Sequence, residues 1–237
     1  MKLVMIGGHT RNIGKTSVVE GIIRATAELN WTAVKVTQFG HGVCTGDCEA
    51  CSCADNVDQF SITEDLERDT GSDTSRFLAA GARRSLWVRT RQGELHTALP
   101  SLNKEIENDD FVIVESNSLR QFVKPDLYLQ VFDPSKSDFK CSARQFFDLS
   151  DAYILVTEDA LACSVDILAP GADQLFPDTG LFRQDEKQRL CFMVTKEDRF
   201  IDEKVIEFVV SKLEYRISTY GRKEHFSHPR ITQITQI

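Results

Sequence analysis

The segment from Gly8 to Thr16 constrains the fold more than any other part of this chain. It follows the short apolar run Leu3–Ile6 and reads Gly8-His9-Thr10-Arg11-Asn12-Ile13-Gly14-Lys15-Thr16. After this segment, apolar residues recur at helical spacing at Val18, Ile22, Ala25 and Leu29. A strand, a glycine-containing turn and an amphipathic helix in direct succession predict the opening unit of an α/β sheet.

Short apolar runs and helical patterns continue to alternate along the chain. Strands are predicted at Leu3–Ile6, Thr32–Thr37, Ser85–Thr90, Phe111–Glu115, Asp126–Phe132, Ala152–Thr157 and Leu190–Val194. Helices are predicted at Lys15–Leu29, Thr74–Ala82, Pro100–Glu107, Ala143–Leu149 and Glu203–Tyr215. This order predicts an α/β fold: a three-layer, mostly parallel sheet with a phosphate-binding loop, or P-loop, after the first strand.

Length and composition narrow the function classes. The 237 residues suit a single domain over 1–237, interrupted by a long polar, cysteine-rich loop over 40–67. A net charge of −8 without a basic run argues against nucleic acid as a partner. The chain shows neither a signal peptide nor an apolar stretch near the roughly 20 residues that span a bilayer. We therefore expect no membrane partner and a cytoplasmic location.

The Gly8–Thr16 segment has the residue types that bind a nucleoside triphosphate, ATP or GTP. Glycines let backbone N–H groups turn toward phosphate oxygens, and the following helix N-terminus favours negative charge. Lys15 is predicted to reach the terminal phosphates and Thr16 to bind Mg²⁺. The predicted nucleotide-binding residues here are Gly8, Thr10, Arg11, Asn12, Ile13, Gly14, Lys15, Thr16 and Ser17. The alternative for Arg11 is a solvated loop cation.

Five residues separate Gly8 from Gly14, where the usual phosphate loop has four. With this spacing the loop resembles that of dethiobiotin synthetase and of the molybdopterin-guanine dinucleotide biosynthesis adaptor proteins. Further segments resemble the adaptors in order and spacing: Lys35, Gly71–Arg76 with Ala80–Ala82, Phe111–Glu115 and Pro125–Leu127. The resemblance implies a P-loop NTPase with Lys35 near the phosphates. Two features depart from it, namely Ser116-Asn117 in place of glycine and the cysteine-rich insert.

Two carboxylates are candidates for the chemistry beside Lys15. Glu115 ends an apolar strand, where it could hold Mg²⁺ or lie in solvent as a strand-end charge. Asp73 could position Mg²⁺ or the attacking water, or it could cap the helix that starts near Thr74. Lys15, Asp73 and Glu115 are therefore the predicted catalytic residues.

The segment Thr195-Lys196-Glu197-Asp198 follows an apolar strand and is similar to the guanine-binding motif of GTPases. An aspartate there accepts hydrogen bonds from N1–H and the exocyclic amine of guanine. Thr195, Lys196 and Asp198 are candidates for base recognition. The alternative is an ordinary turn that enters a helix, and the choice between ATP and GTP stays open.

Four cysteines, Cys44, Cys48, Cys51 and Cys53, lie within ten residues of the insert. In a reducing compartment, clustered thiols indicate metal binding, and four thiolates complete the ligand set of either Zn²⁺ or an iron-sulfur cluster. Unliganded thiols in an exposed loop are the alternative.

Together these features predict a Mg²⁺-dependent NTPase that serves as an accessory protein for cofactor or metal-centre assembly. An ATP-dependent small-molecule synthetase and a non-hydrolysing metal or redox sensor are the alternatives. The partner is accordingly a client metalloenzyme or a small-molecule substrate. A homodimer and a monomer are both compatible with the sequence.

Overall fold

A computed structural model describes residues 1–40, 60–133, 135–136, 138–157, 165–168, 189–195 and 201–214. The predicted cysteine cluster, Lys196 and Asp198 lie outside these residues. Helices in the described residues are α1 Lys15–Ala25, α2 Asp73–Ala80, α3 Leu95–Ile106, α4 Cys141–Phe146 and α5 Glu203–Lys212. None of these helices is both long and apolar enough to cross a membrane.

One sheet runs through the described residues. Its strands are β1 Lys2–Gly8, β2 Thr32–Phe39, β3 Phe60–Asp65, β4 Arg84–Arg91, β5 Phe111–Glu115, β6 Leu127–Phe132, β7 Ala152–Thr157, β8 Val165–Leu168 and β9 Arg189–Thr195. Their spatial order is β3-β4-β2-β5-β1-β6-β7-β9-β8. Neighbours pair in parallel except at the two edges, where β3 pairs with β4 and β8 with β9 in antiparallel fashion.

Strand alternation divides the apolar side chains between two faces of this sheet. On one face Val4 and Ile6 of β1 pack in a core with Val18 and Ile22 of α1, and this core also includes residues of α2 and α5. On the other face Leu3 and Met5 join a core that includes residues of α3. The predicted three-layer α/β fold with a loop between β1 and α1 is confirmed.

The two antiparallel edge strands were not predicted. Residues 60–65 were assigned to the cysteine-rich loop, but Phe60–Asp65 forms β3 against β4. Its side chains are half-buried or exposed, and only two of its six residues are apolar. An edge strand of this kind lacks the apolar period that identifies buried strands, so its pairing with β4 decides the structure.

Helix boundaries also differ from the predictions. The first helix ends at Ala25, and Ala27–Leu29 continues as a turn of 3-10 helix. The third helix begins at Leu95 and carries Pro100 inside it, whereas the sequence predicted a start at the proline. The helix buries Leu95 and Ala98 before the proline, and this burial outweighs the local preference for starting at Pro100.

Candidate functional site

The loop between β1 and α1 has the backbone of an anion-binding turn. Asn12 and Gly14 adopt left-handed backbone conformations, with φ of 54° and 93°. Gly14 is the residue that immediately precedes α1, so the first N–H groups of the helix lack partners within it. Such N–H groups, together with the helix dipole, favour bound phosphate.

The predicted loop residues divide into backbone and side-chain contributors. Ile13 is buried in the core, so only its backbone can face a ligand. Arg11 and Asn12 are exposed at the tip of the loop. The Ser17 hydroxyl accepts a hydrogen bond of 3.3 Å from Arg76 Nη2, which links α1 to α2.

Lys15 folds back over the loop. Its Nζ donates to the carbonyl oxygen of Thr10 at 2.6 Å. Burial lowers the pKa of Lys15 to about 8; the nearby Lys140 and Lys35 also lower it, while Glu115 and Asp73 raise it. Because burial makes this ammonium costly to charge, a phosphate close to it would strongly stabilise its charged form.

Sheet register places Lys35 and Glu115 opposite each other. Lys35 of β2 pairs with Glu115 of β5, and Glu115 also lies opposite Ile6 of β1. Because side chains alternate along a strand, both charged residues continue the sheet face that Ala33 and Ile113 occupy in the α1 and α2 core. They therefore extend toward the N-termini of α1 and α2.

Glu115 is the centre of a hydrogen-bonded cluster at this position. Its side chain is only 3% exposed. Oε2 accepts from the Thr16 hydroxyl at 2.8 Å, and Oε1 accepts from Lys35 Nζ at 2.5 Å. The interpretation of Glu115 as a solvent-exposed strand-end charge is therefore wrong.

Asp73 belongs to the same cluster. Its Oδ2 lies 2.8 Å from Lys35 Nζ. Partial burial acts to raise its pKa, but the hydrogen bonds and charge of Lys35, with help from Thr16, keep the pKa below the ordinary aspartate value. Asp73 does not cap α2, because Ser72 is the capping residue and its side chain accepts from the Ser75 N–H. The capping alternative for Asp73 is wrong.

The oxygen atoms around Thr16 are compatible with Mg²⁺. Magnesium prefers hydroxyl, carboxylate and water oxygens in octahedral geometry at about 2.1 Å, which puts neighbouring ligands about 3 Å apart. The Thr16 and Glu115 oxygens are 2.8 Å apart. Thr16 and Glu115 would hold the ion, and it would neutralise phosphate charge there. No group of three or more His, Cys, Asp or Glu side chains suited to a metal occurs among the described residues.

Asn117, one of the departures from the adaptor proteins, has a structural explanation. The pairing of β1 with β5 ends at Ile6 and Glu115, so Gly8, two residues further along β1, lacks a strand neighbour on that side. The Asn117 side chain takes its place: Oδ1 accepts from the Gly8 N–H and Nδ2 donates to the Gly8 carbonyl, both at 2.8 Å. A side-chain amide thereby fixes the first residue of the loop.

We expect Asn117→Ala to lower the free energy of unfolding by about 1–3 kcal/mol, because both backbone groups of Gly8 lose their partner in a partly buried site. Nucleotide affinity should fall severalfold in calorimetry. Asn117→Asp keeps only the acceptor and should show an intermediate loss in both measurements. If Asn117→Ala matches the parent in chemical denaturation and in binding, the amide does not hold the loop.

A cleft elsewhere does not carry these features. It has a volume of about 310 Å³ and is lined by Glu28, Leu29, Asn30, Arg83, Asn108, Asp110 and Phe111. These residues follow α1, precede β4 or lie before or at the start of β5, so the cleft is at the end of the sheet opposite the loop between β1 and α1. The lining of this cleft lacks a glycine loop. We therefore place the candidate site at the loop between β1 and α1, where the side chains suit a phosphate and Mg²⁺.

Comparisons with known proteins add little to this geometry. No protein-family model matches the chain, and no curated protein matches it. A solved structure of HypB from Helicobacter pylori in complex with nickel is similar over 92% of this chain and 91% of the other, with 14% identity and a TM-score of 0.48. At that score the similarity carries no argument about activity, so the function is inferred from the site itself.

Proposed function

We propose that this chain binds and hydrolyses a nucleoside triphosphate with Mg²⁺ as an accessory protein in cofactor or metal-centre assembly. The observation that carries the proposal is the convergence of Lys15, Thr16, Lys35, Asp73 and Glu115 on one edge of the sheet. Five residues from four separate elements meet beside the phosphate loop. Their chemistry suits one ligand, a magnesium-bound polyphosphate.

Each residue then has a distinct role. Lys15 leaves its contact with Thr10 and neutralises the terminal phosphates. Lys35 holds Glu115 and Asp73 in place through its two short contacts. Asp73 is half-exposed beside the metal-binding oxygens and orients the attacking water. Catalysis of this kind comes mainly from positioning and charge neutralisation.

The cysteines support the accessory role. Cys44 follows β2 in the sequence. β1 and β2 both pair in parallel with β5, so β2 ends on the side of the sheet where β1 leads into the phosphate loop. In this proposal the four cysteines Cys44, Cys48, Cys51 and Cys53 bind a metal. Metal bound there and nucleotide bound at the loop would then influence each other's affinity by the same factor.

Anaerobic purification with metal and acid-labile sulfide analysis tests the metal site, and Mg²⁺-dependent phosphate release from ATP and GTP tests hydrolysis. We expect stoichiometric metal and slow, magnesium-dependent turnover. Turnover that requires a small-molecule carboxylate would favour the synthetase instead. Tight nucleotide binding without turnover in the metal-loaded protein would favour the sensor.

We also propose that Asp198, with Thr195 and Lys196, recognises guanine. We expect GTP to bind more tightly than ATP, and Asp198→Asn to shift the preference toward xanthosine triphosphate, because an amide can donate to the additional carbonyl oxygen. Competition calorimetry with the three triphosphates measures this. Tight ATP binding that is unchanged in Asp198→Asn would make Thr195–Asp198 an ordinary helix-entry turn.

A further inference from the structure

The segment that follows β6 lies across the phosphate loop. Three consecutive residues make contact with it. The Thr10 hydroxyl donates to the Asp138 carboxylate, the Phe139 ring packs 5.3 Å from the His9 ring, and the Lys140 N–H donates to the His9 carbonyl at 2.8 Å. Residues 138–140 are therefore held against the part of the loop that leads to the phosphate site.

Phe139 anchors this crossing in the protein core. Its ring centroid lies 5.6 Å from that of Phe147 and 6.1 Å from that of Phe132, in an aromatic cluster next to β6 and β7. His9 is fully buried beside Phe132, with ring centroids 4.5 Å apart. Phe139 precedes Lys140, and His9 accepts the bond from the Lys140 N–H; both rings are packed in this cluster. The backbone of Lys140 therefore has little freedom to move away from the loop.

The ammonium group of Lys140 lies in the electrostatic field of the phosphate site. Its side chain is half-buried. Burial lowers the pKa of Lys140, and the charges of Arg11 and Lys35 lower it further, while Asp138 and Glu115 raise it. Lys140 in turn depresses the pKa of Lys15. Two partly desolvated lysines that repel each other next to a phosphate loop form a site that is stabilised by an anion.

We propose that Lys140 is a second phosphate-binding lysine, which the segment after β6 delivers to the terminal phosphate of the bound nucleotide. Its backbone is bonded to His9 in the loop, and its ammonium is within electrostatic reach of Arg11, Lys35 and Glu115, around the loop tip and the proposed magnesium site. In the proposed complex the γ-phosphate would lie at this end of the ligand. This inference rests on the proposed nucleotide function.

Calorimetric titration with the preferred triphosphate, ATP or GTP, and with its diphosphate tests the assignment. In Lys140→Gln we expect about a tenfold loss of triphosphate affinity and less than about a threefold loss for the diphosphate, because one charge-assisted contact to the γ-phosphate disappears. Lys140→Arg should recover most of the triphosphate affinity. Lys124→Gln is the matched control, since it removes an exposed lysine ahead of β6 at the opposite edge of the sheet.

Equal losses for the two nucleotides in Lys140→Gln, or no loss, would overturn the assignment. Equal losses would mean that residue 140 only supports the loop, and the absence of rescue by arginine would mean the same. Circular dichroism and thermal melting confirm that each variant is folded. If Lys15→Ala loses triphosphate binding while Lys140→Gln does not, the proposed function stands and only this inference fails. A parent protein that binds neither nucleotide overturns both.

Discussion

Lys15→Ala is expected to weaken triphosphate binding by more than about tenfold while the protein stays folded. The lysine side chain emerges from the first turn of α1, beside the loop N–H groups, and has only the Thr10 carbonyl as its hydrogen-bond acceptor among the described residues. Without it, the terminal phosphates keep an uncompensated charge in a partly desolvated site. Isothermal calorimetry with ATP and GTP gives the affinities.

The same substitution should change the pH dependence of stability. The pKa of Lys15 in the folded protein, about 8, lies below that of an unfolded chain, so the unfolded state binds more protons between pH 8 and about 10.4. Its contribution to the free energy of unfolding therefore rises with pH across that window, and the cost of burying the charge is fully present below pH 8. Lys15→Ala should be at least as stable as the parent at pH 7, and this advantage should shrink as the pH rises.

Lys2→Ala is the control for both measurements. Lys2 is the first residue of β1, at the end of the strand opposite the loop. Its Nζ lies 3.7 Å from a carboxylate oxygen of Asp126 and 3.9 Å from one of Glu214. Lys2→Ala should leave nucleotide affinity unchanged. Unchanged affinity in Lys15→Ala itself would show that the loop between β1 and α1 is not the nucleotide site.

Glu115→Gln should separate catalysis from binding. Glutamine keeps the shape and one of the two acceptor oxygens that Thr16 and Lys35 use, but it lacks the charge that magnesium and the transition state require. We expect the rate of Mg²⁺-dependent hydrolysis to fall by about 100-fold, while triphosphate affinity changes by less than about threefold. Single-turnover phosphate release and calorimetry measure the two quantities.

A second buried carboxylate, just before the same strand, provides the control. Asp109 precedes β5, is 6% exposed and forms an ion pair with Arg83, whereas Glu115 ends β5. Removal of either charge leaves a cation with fewer partners and lowers stability. Only Glu115→Gln should affect hydrolysis. If Asp109→Asn and Glu115→Gln slow hydrolysis equally, the effect comes from stability, and Glu115 has no role in the chemistry.

Local sequence patterns were sufficient for the central strands and for the phosphate loop. β1, β2, β5 and β6 are rich in apolar residues because helices cover both faces of the sheet, and this burial leaves a strong signal in one segment of chain. The Gly14-Lys15-Thr16 turn between strand and helix is likewise local. The edge strand β3 has no fully buried residue, and β3 and β8 each pair with a single neighbour at the sheet margin, so the sequence patterns did not reveal them.

Residues 8–16 by themselves predicted a phosphate-binding turn, because glycine conformations and a helix N-terminus are properties of neighbouring residues. The partners of that loop come from distant positions. Glu115 is 99 residues from Thr16, and Asn117 is 109 residues from Gly8, yet each makes a bond of 2.8 Å. The sequence singled out Glu115 as a candidate, but it did not indicate the roles of Asn117 and Lys140. Strand register places Glu115 at Thr16, and the tertiary packing brings Asn117 and residues 138–140 to the loop.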